Sequence, residues 1–406
     1  MELSFSIQTY EWGKIGLDSK VAQLVEAAGG TVDKDKNYAE LWLGTHPSGP
    51  SSILSQCSRS ENLESWIKNN PHCLGTDVIS RFGEKLPFLL KVLSVDKALS
   101  IQMHPSKEQA VKLHREFPDI YKDENHKPEL AIALSKFEAL CGFKPLERIK
   151  KNIEETKELQ AVIGESLFKS MVSCMNNDHS IEVFKEIFHA IMSAPQAQVE
   201  KQLCLLNETI HRTDESSRSE EMNLFSRVYS RFPGDCGCFC VFLFNYVCLE
   251  EGQSIYIGAN EPHAYLKGDC IECMACSDNV IRAGLTPKFK DIATLCSLLN
   301  YKFGPPEAKL LIPVIKDESC RFYLPPVADF AVAKIQVKSK YEEYKMESLI
   351  SVSICLCLCG CGIINGNLVS PGKAYLIPAY SLISIINESD TTLELCLAFA
   401  NVQNDY

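Results

Sequence analysis

A change of hydrophobic period part-way along the chain limits most strongly what this sequence can fold into. Between about Pro145 and Arg231 the apolar residues recur at helical spacing. Ile181, Phe184, Ile187, Phe188, Ile191 and Met192 fall at i, i+3 and i+4 offsets, and Met222, Phe225, Val228, Tyr229 and Phe232 mark a second such face. Those offsets gather residues on one side of a helix. On either side of the block the chain runs in short, turn-bounded apolar segments of β character. The expected fold class is therefore mixed α and β, with a helical insert over 146–233 closed by the Pro233-Gly-Asp235 turn.

The flanking segments predict strands. Residues from Leu3 to about Leu99 read as short β segments and turns with some helix; within them, Glu40–Leu43 is a strand running into a Pro/Gly loop. Leu86–Lys97 is a buried strand interrupted by Lys91, which either snorkels to a surface or faces a polar cavity. After the insert, Phe239–Tyr246 and Ile255–Ile257 return to strand patterns, and His263 lies between a strand and a turn containing Gly268. From about Cys320 the chain is β-rich again. Ser351–Cys359 alternates, Asn365-Gly366 is a hairpin signal and Pro371-Gly-Lys373 is a further turn. Regular short strands of this kind predict a jelly-roll-like sandwich over 316–406.

At 406 residues, 46% hydrophobic and 23% charged, the chain is long enough for two or three domains and too apolar to be largely disordered. A net charge of −11 argues against general nucleic-acid binding. The first ten residues lack a basic, then apolar, secretory pattern, and no run is apolar enough to span a membrane, so the cytoplasm is the expected compartment. There, nineteen cysteines are expected as buried thiols rather than disulfides. Cys236, Cys238 and Cys240, like Cys355, Cys357, Cys359 and Cys361, alternate with apolar residues and glycines and read as strand packing and turns. Only Cys270, Cys273 and Cys276 carry C-x-x-C spacing, which is weak by itself as a zinc signal.

A different donor set is more informative. Gln102 and His104 are two apart, so an extended strand presents both on one face. Ser106 and Gln109 then form a capping box that starts a helix through about Arg115. Asn125–Glu129 reads as a loop because Pro128 holds its predecessor extended, and it brings the Glu129 carboxylate. A zinc-like site made of one imidazole, one amide and one carboxylate needs another ligand. His263 supplies it, whereas His179, His189 and His211 have no partner donor at suitable spacing. Arg282 and Lys288 flank a Gly/Pro turn and would form an anion pocket beside a metal.

Six blocks in order, Tyr10–Gly13, Ala39–Pro47, Phe88–Pro105, Asn125–Glu129, Asn260–Tyr265 and Ala275–Lys288, make the chain resemble the type I mannose-6-phosphate isomerases (phosphomannose isomerases) along essentially its whole length. The resemblance implies one Zn²⁺ per chain on Gln102, His104, Glu129 and His263. It implies a cupin/jelly-roll-type β-sandwich catalytic domain built from 1–145 and 234–315, the helical domain 146–233 and a C-terminal β domain 316–406. Visible departures from the family pattern lie in the helical insert and C-terminal third, away from these residues. The cysteine richness is not a family feature.

The resemblance also implies reversible isomerisation of mannose 6-phosphate and fructose 6-phosphate through a cis-enediol(ate), in a monomer serving GDP-mannose biosynthesis. The partner is a small-molecule sugar phosphate, with no nucleic acid and no membrane. That chemistry needs a base, a group facing the developing oxyanion and a phosphate grip. Arg282, Lys127 and His126 are the catalytic candidates. Lys91, Ser100, Tyr265, Glu272, Asp278 and Lys288 are expected to touch substrate, with Ser100 and Ser106 considered for the phosphate. The competing readings are a metal-dependent oxygenase on the same fold, which the Gln donor fits poorly, and a non-catalytic metal-dependent sugar-phosphate-binding cupin.

Overall fold

The computed structural model describes residues 1–54, 60–173 and 179–402. Two large antiparallel sheets carry the β-rich parts. The main path of the ten-stranded sheet runs Phe244–Leu249, Phe137–Phe143, His263–Ala275, Phe88–Val95, Glu40–Leu43 and Ser6–Gln8. Ile101–Met103, Glu129–Ala133, Ser254–Ile257 and Ile281–Gly284 complete it off this path. The nine-stranded sheet joins the two ends of the sequence, because Glu2–Leu3 pairs with Ala374–Ile377 and continues to Ser52–Ile53 and Glu61–Asn62.

Alternation along Phe88–Val95 explains why all eight of its residues are buried. Phe88, Leu90 and Val92 point into a core shared with Phe330, Ile354, Leu356 and Leu376 of the nine-stranded sheet. Lys91 and Leu93, on the opposite face, turn towards the interior cavity. A four-stranded sheet, Glu343–Met346, Ile383–Asn387, Gly362–Ile364 and Asn367–Val369, covers the far side of the nine-stranded sheet. Between them lies a core that includes Ala333, Ile335, Ile383, Ile385 and Leu395, so the C-terminal part is a sandwich.

The thirteen-residue strand His263–Ala275 is the hub. Its first part pairs with Ala139–Cys141 and Gln102, and its second part with Phe88–Val95 and Glu129–Ala133. The change of partners falls at Gly268, where φ is +114° and a Cβ would lie 2.4 Å from the Lys136 carbonyl oxygen. Only glycine tolerates both conditions. The turn expected at Gly268 is thus a kink inside a strand. It shifts the side-chain parity, so that Tyr265 and Glu272 line the same cavity despite their odd separation.

The helical insert comprises Leu146–Glu155, Lys157–Ile163, Glu165–Ser173, His179–Met192, Gln196–Arg212 and Glu220–Arg231. Of the apolar faces read from the sequence, Phe184, Ile187, Phe188 and Ile191 with Phe225 and Val228 pack in one core with Phe143 and Phe244 of the sheet, whereas Ile181, one turn before Phe184, is exposed instead of joining its face. The strand expected from Phe239 begins only at Phe244. Cys236–Phe242 is a 3₁₀ segment in which every residue is buried, so its apolar run carried no polar face to report a strand. The Asp235 side chain starts it by accepting from the Gly237 amide.

The seventeen described cysteines are free thiols; Cys57 and Cys174 lie outside the described residues, as does the side chain of His179. Cys204, Cys248, Cys359 and Cys361 are exposed rather than buried. No helix among the described residues is long and apolar enough to cross a membrane.

Candidate metal centre and cavity

The capping box forms as read: Ser106 Oγ accepts from the Gln109 amide and Gln109 Oε1 from the Ser106 amide, which starts the helix Lys107–Glu116. It fixes the chain directly after His104. Gln102, in the strand before it, sits opposite both His263 and Arg282 in register. Glu129 opens the strand Glu129–Ala133. Four residues distant in sequence are thereby brought together.

Donor atoms of His104, Glu129 and His263 lie within 4.8 Å of one another, and all three residues are buried. His104 Nε2 is 3.2 Å from Glu129 Oε1, and His263 Nε2 is 3.2 Å from Glu129 Oε2. The other ring nitrogens settle the protonation pattern. His104 Nδ1–H donates to the Asn279 carbonyl at 2.7 Å and His263 Nδ1–H to the Glu261 carbonyl at 3.0 Å, since a carbonyl can only accept. In the neutral tautomers compatible with these bonds, both Nε2 atoms turn lone pairs towards a carboxylate. Burial, reinforced by Lys127, holds the His104 imidazole down at about 4, so it stays neutral.

His104 Nε2 and Glu129 Oε2 make no hydrogen bond among the described residues. Buried acceptors facing buried acceptors are costly unless a cation sits between them. Two neutral imidazoles and one carboxylate are a suitable donor set for Zn²⁺. Gln102 Nε2 lies 3.4 Å from His263 Nε2, and turning its amide over would bring Oε1 to the same place as a fourth donor.

The centre floors a cavity of about 330 Å³. Of the residues singled out in the sequence, Lys91, Ser100, Gln102, Lys127, Glu129, Tyr265, Glu272, Arg282 and Lys288 line it, while His104 and His263 are fully buried behind its wall. Lys127 Nζ contacts Glu129 Oε1 at 2.8 Å. Burial pushes the Glu129 carboxyl up, but Lys127 and His104 outweigh it and leave the group well below its ordinary range. Lys91 lies 3.1 Å from Glu272 Oε2, 3.5 Å from Glu40 Oε2 and 4.9 Å from the centre of the Trp42 ring. These carboxylates override the burial that would neutralise it and raise its affinity for the proton. Burial and the negative charge of Glu129 raise Glu272 despite Lys91, and burial raises the Tyr265 hydroxyl. Arg282, whose guanidinium is held below its ordinary proton affinity by burial, makes no ion pair or side-chain hydrogen bond among the described residues.

Two expected site residues are elsewhere. His126 turns away to Asp329, Nε2 to Oδ1 3.0 Å, because the extended chain before Pro128 sends neighbouring side chains to opposite sides and Lys127 takes the inner one. Asp278 is half-exposed and bound to His46 Nε2 at 3.2 Å, which also lowers its carboxyl; it does not line the cavity. Ser106 is occupied by its cap and by Glu108. Missing from the sequence reading were Glu40, Lys97 and Thr286 on the cavity wall. Glu40 had a signal, a lone charge opening the apolar run Glu40–Leu43 just as Lys91 interrupts its own.

Fold and donor set together define a β-sandwich protein with a candidate mononuclear metal centre. Residues 1–146 match the family model for the catalytic domain of type I phosphomannose isomerase, and residues 153–244 match that for its helical insertion domain. The mannose-6-phosphate isomerase of Mus musculus is 44% identical over 86% of this chain and 85% of its own length. Mannose-6-phosphate isomerase 2 of Arabidopsis thaliana is 44% identical over 80% of this chain and 76% of its own. A solved variant of phosphomannose isomerase from Salmonella typhimurium has a TM-score of 0.85 at 28% identity, over 98% of this chain and 99% of that one. A zinc-bound holo mannose 6-phosphate isomerase has a TM-score of 0.84 at 28% identity, over 98% of each chain. The chain belongs to the type I phosphomannose isomerases.

Proposed function

We propose that the protein interconverts mannose 6-phosphate and fructose 6-phosphate by moving a proton between C2 and C1 through a cis-enediol(ate). The observation that carries this reading is one cavity with metal donors at its floor and the unpaired Arg282 on its wall, in a protein whose net charge is −11. A sugar phosphate supplies hydroxyls for the first and anionic oxygens for the second.

One Zn²⁺ per chain would be held by His104, Glu129, His263 and Gln102, and when bound would polarise a sugar oxygen at the reacting carbons. The chain's own groups do the rest. Lys127, beside Glu129 at the floor, acts as a free amine that takes the proton from C2 and, as the ammonium so formed, returns it to C1 in the forward direction while the hydroxyl proton passes from O2 to O1, and the reverse in the other. Arg282, opposite Gln102 in register, places its planar fork where the enediolate oxygens gain charge. Ser100 and Lys288, which also line the cavity, hold the phosphate. Lys91, fixed between Glu40 and Glu272, and Tyr265, whose buried hydroxyl has no hydrogen-bond partner among the described residues, face the sugar hydroxyls.

We further read the protein as a cytoplasmic monomer supplying GDP-mannose biosynthesis, without nucleic-acid or membrane partners. The acidic charge and the free thiols of the described cysteines favour that reading. The test is a coupled assay that follows fructose 6-phosphate formed from mannose 6-phosphate by zinc-loaded protein. Turnover is expected; saturable binding without turnover would instead identify a non-catalytic sugar-phosphate-binding cupin.

A further inference from the structure

We propose that Asp235 is a positioning residue for substrate phosphate: it sets the arm Gly284–Lys288 that forms one wall of the cavity. This rests on the reading above, in which the phosphate lies beside Lys288.

Asp235 does not line the cavity. It sits where the helical insert returns to the sheet, three residues after Phe232, which does line it. Its carboxylate accepts three backbone amides. Oδ1 takes Gly237 N–H at 2.7 Å and Leu285 N–H at 2.8 Å, and Oδ2 takes Thr286 N–H at 3.2 Å. The first bond holds Asp235 on its own segment, and the other two reach across to the arm. Leu285 is the residue that most needs such a hold. Its φ is +55°, a left-handed conformation a leucine adopts only when its surroundings impose it.

The approach of the two segments is as close as backbone allows. A Cβ on Gly284 would lie 2.6 Å from Gly237 Cα and 2.9 Å from Asp235 Oδ1, and one on Gly237 would lie 2.7 Å from Leu285 N. Glycine at both positions lets the carboxylate reach the arm. Beyond Leu285 the arm is local: Thr286 Oγ1 accepts from the Lys288 amide at 3.1 Å. Leu285, Thr286, Pro287 and Lys288 all line the cavity. The carboxylate thus connects the end of the helical insert to the cavity wall, and ionised oxygens accepting backbone N–H groups form the stronger class of hydrogen bond.

The role separates from chemistry at the cavity floor. In zinc-loaded enzyme, Asp235→Ala is expected to raise KM for mannose 6-phosphate at least tenfold and weaken competitive inhibition by inorganic phosphate in the same proportion. Its kcat should stay within about threefold and its zinc content at the wild-type level, as for a loss of uniform binding. Asp235→Asn keeps one acceptor and turns an N–H towards Thr286 N–H; it should fall between wild type and Ala, and it keeps the test open if the alanine variant does not fold. Lys288→Ala reports on the phosphate assignment itself. If Lys288→Ala weakens phosphate inhibition while a folded Asp235 variant does not, the positioning role is overturned. If phosphate inhibition is unchanged in Lys288→Ala, the phosphate assignment is overturned and the Asp235 role with it. A fall in kcat and zinc content without a change in phosphate inhibition would mark Asp235 as merely structural.

Discussion

The Lys91 ammonium lies 3.1 Å from Glu272 Oε2 across paired strands, with both side chains less than a tenth exposed. Glu40 approaches the same ammonium at 3.5 Å from the strand on the other side. One cation therefore serves two buried carboxylates. Lys91→Met leaves both without it and should destabilise the protein by about 3–5 kcal/mol, the usual consequence of removing one member of a buried ion pair. Chemical denaturation checks this. Adding Glu272→Gln to Lys91→Met should recover part of the loss, because it removes one of the stranded charges.

The helical insert carries its own charged anchor. Glu221 is buried and meets Arg148 at 2.8 Å and Lys144 at 3.2 Å. Burial pushes its carboxyl up, but the Arg148 hydrogen bonds and Lys144 outweigh this and hold it at about 2. An unfolded glutamate titrates near ~4.3. The folded value is depressed, so the stabilisation is fully present above about pH 4.5 and lost as pH falls from there towards 2. A loss on the order of 2–3 kcal/mol is expected over that window from this group. Glu221→Gln should be less stable than wild type at neutral pH and show a shallower acid limb in thermal melts recorded from pH 5 to pH 2.

Local chemistry was the part of the molecule most legible in the sequence. The Ser106–Gln109 box, the helix faces around Ile187 and Phe225 and the Asn365-Gly366 hairpin depend on neighbours within a few residues and formed as read, except that Ile181 is exposed at the start of its face. The grouping of His104, Glu129 and His263 was legible because Gln102 and His104 sit two apart at a strand end and a zinc-like site there required a further ligand. Long-range pairing was hidden. Nothing near Glu2 indicates that it pairs with Tyr375, nor anything near Glu40 that it meets Lys91. Gly268 read as a turn because a strand kink and a turn make the same local demand for positive φ. His126 and Lys127 are neighbours in sequence but face opposite sides, so they could not both enter the cavity.

That separation has a consequence. His126→Ala should leave turnover within a few-fold of wild type and affect mainly the contact with Asp329, whose side chain is 3.0 Å away. Steady-state kinetics on the purified variant check it; a loss of two orders of magnitude or more would return His126 to the catalytic machinery.

Asp123 stands behind the metal donors. Its carboxylate accepts from Ser277 Oγ at 2.8 Å and the Asp278 amide at 2.8 Å, and its carbonyl accepts Asn279 Nδ2 at 2.6 Å. Asn279 in turn offers its own carbonyl to His104 Nδ1. Partners that orient a ligating imidazole typically contribute 10–100-fold to metal affinity. Asp123→Ala should weaken zinc binding by about that factor, measured by competition with a chromophoric chelator. An unchanged affinity would mean that the segment around Asn279 holds His104 without Asp123.

Lys127 is the sharpest test of the proposed chemistry. Its Nζ lies 2.8 Å from Glu129 at the cavity floor, where as a free amine it could pass a displaced proton between adjacent carbons. A positioned acid–base group contributes typically 10²–10⁴-fold. Lys127→Met should therefore retain zinc but lose roughly two to four orders of magnitude in kcat. Exchange of substrate C2 deuterium into solvent should slow in parallel. Metal analysis is part of the experiment because Lys127 touches Glu129, and a variant that lost zinc would report on the metal centre instead. The decisive comparison is between zinc-replete proteins: wild-type turnover in Lys127→Met would remove it as the proton carrier. Attention would then move to Glu272, a buried carboxyl of the cavity whose proton affinity burial raises.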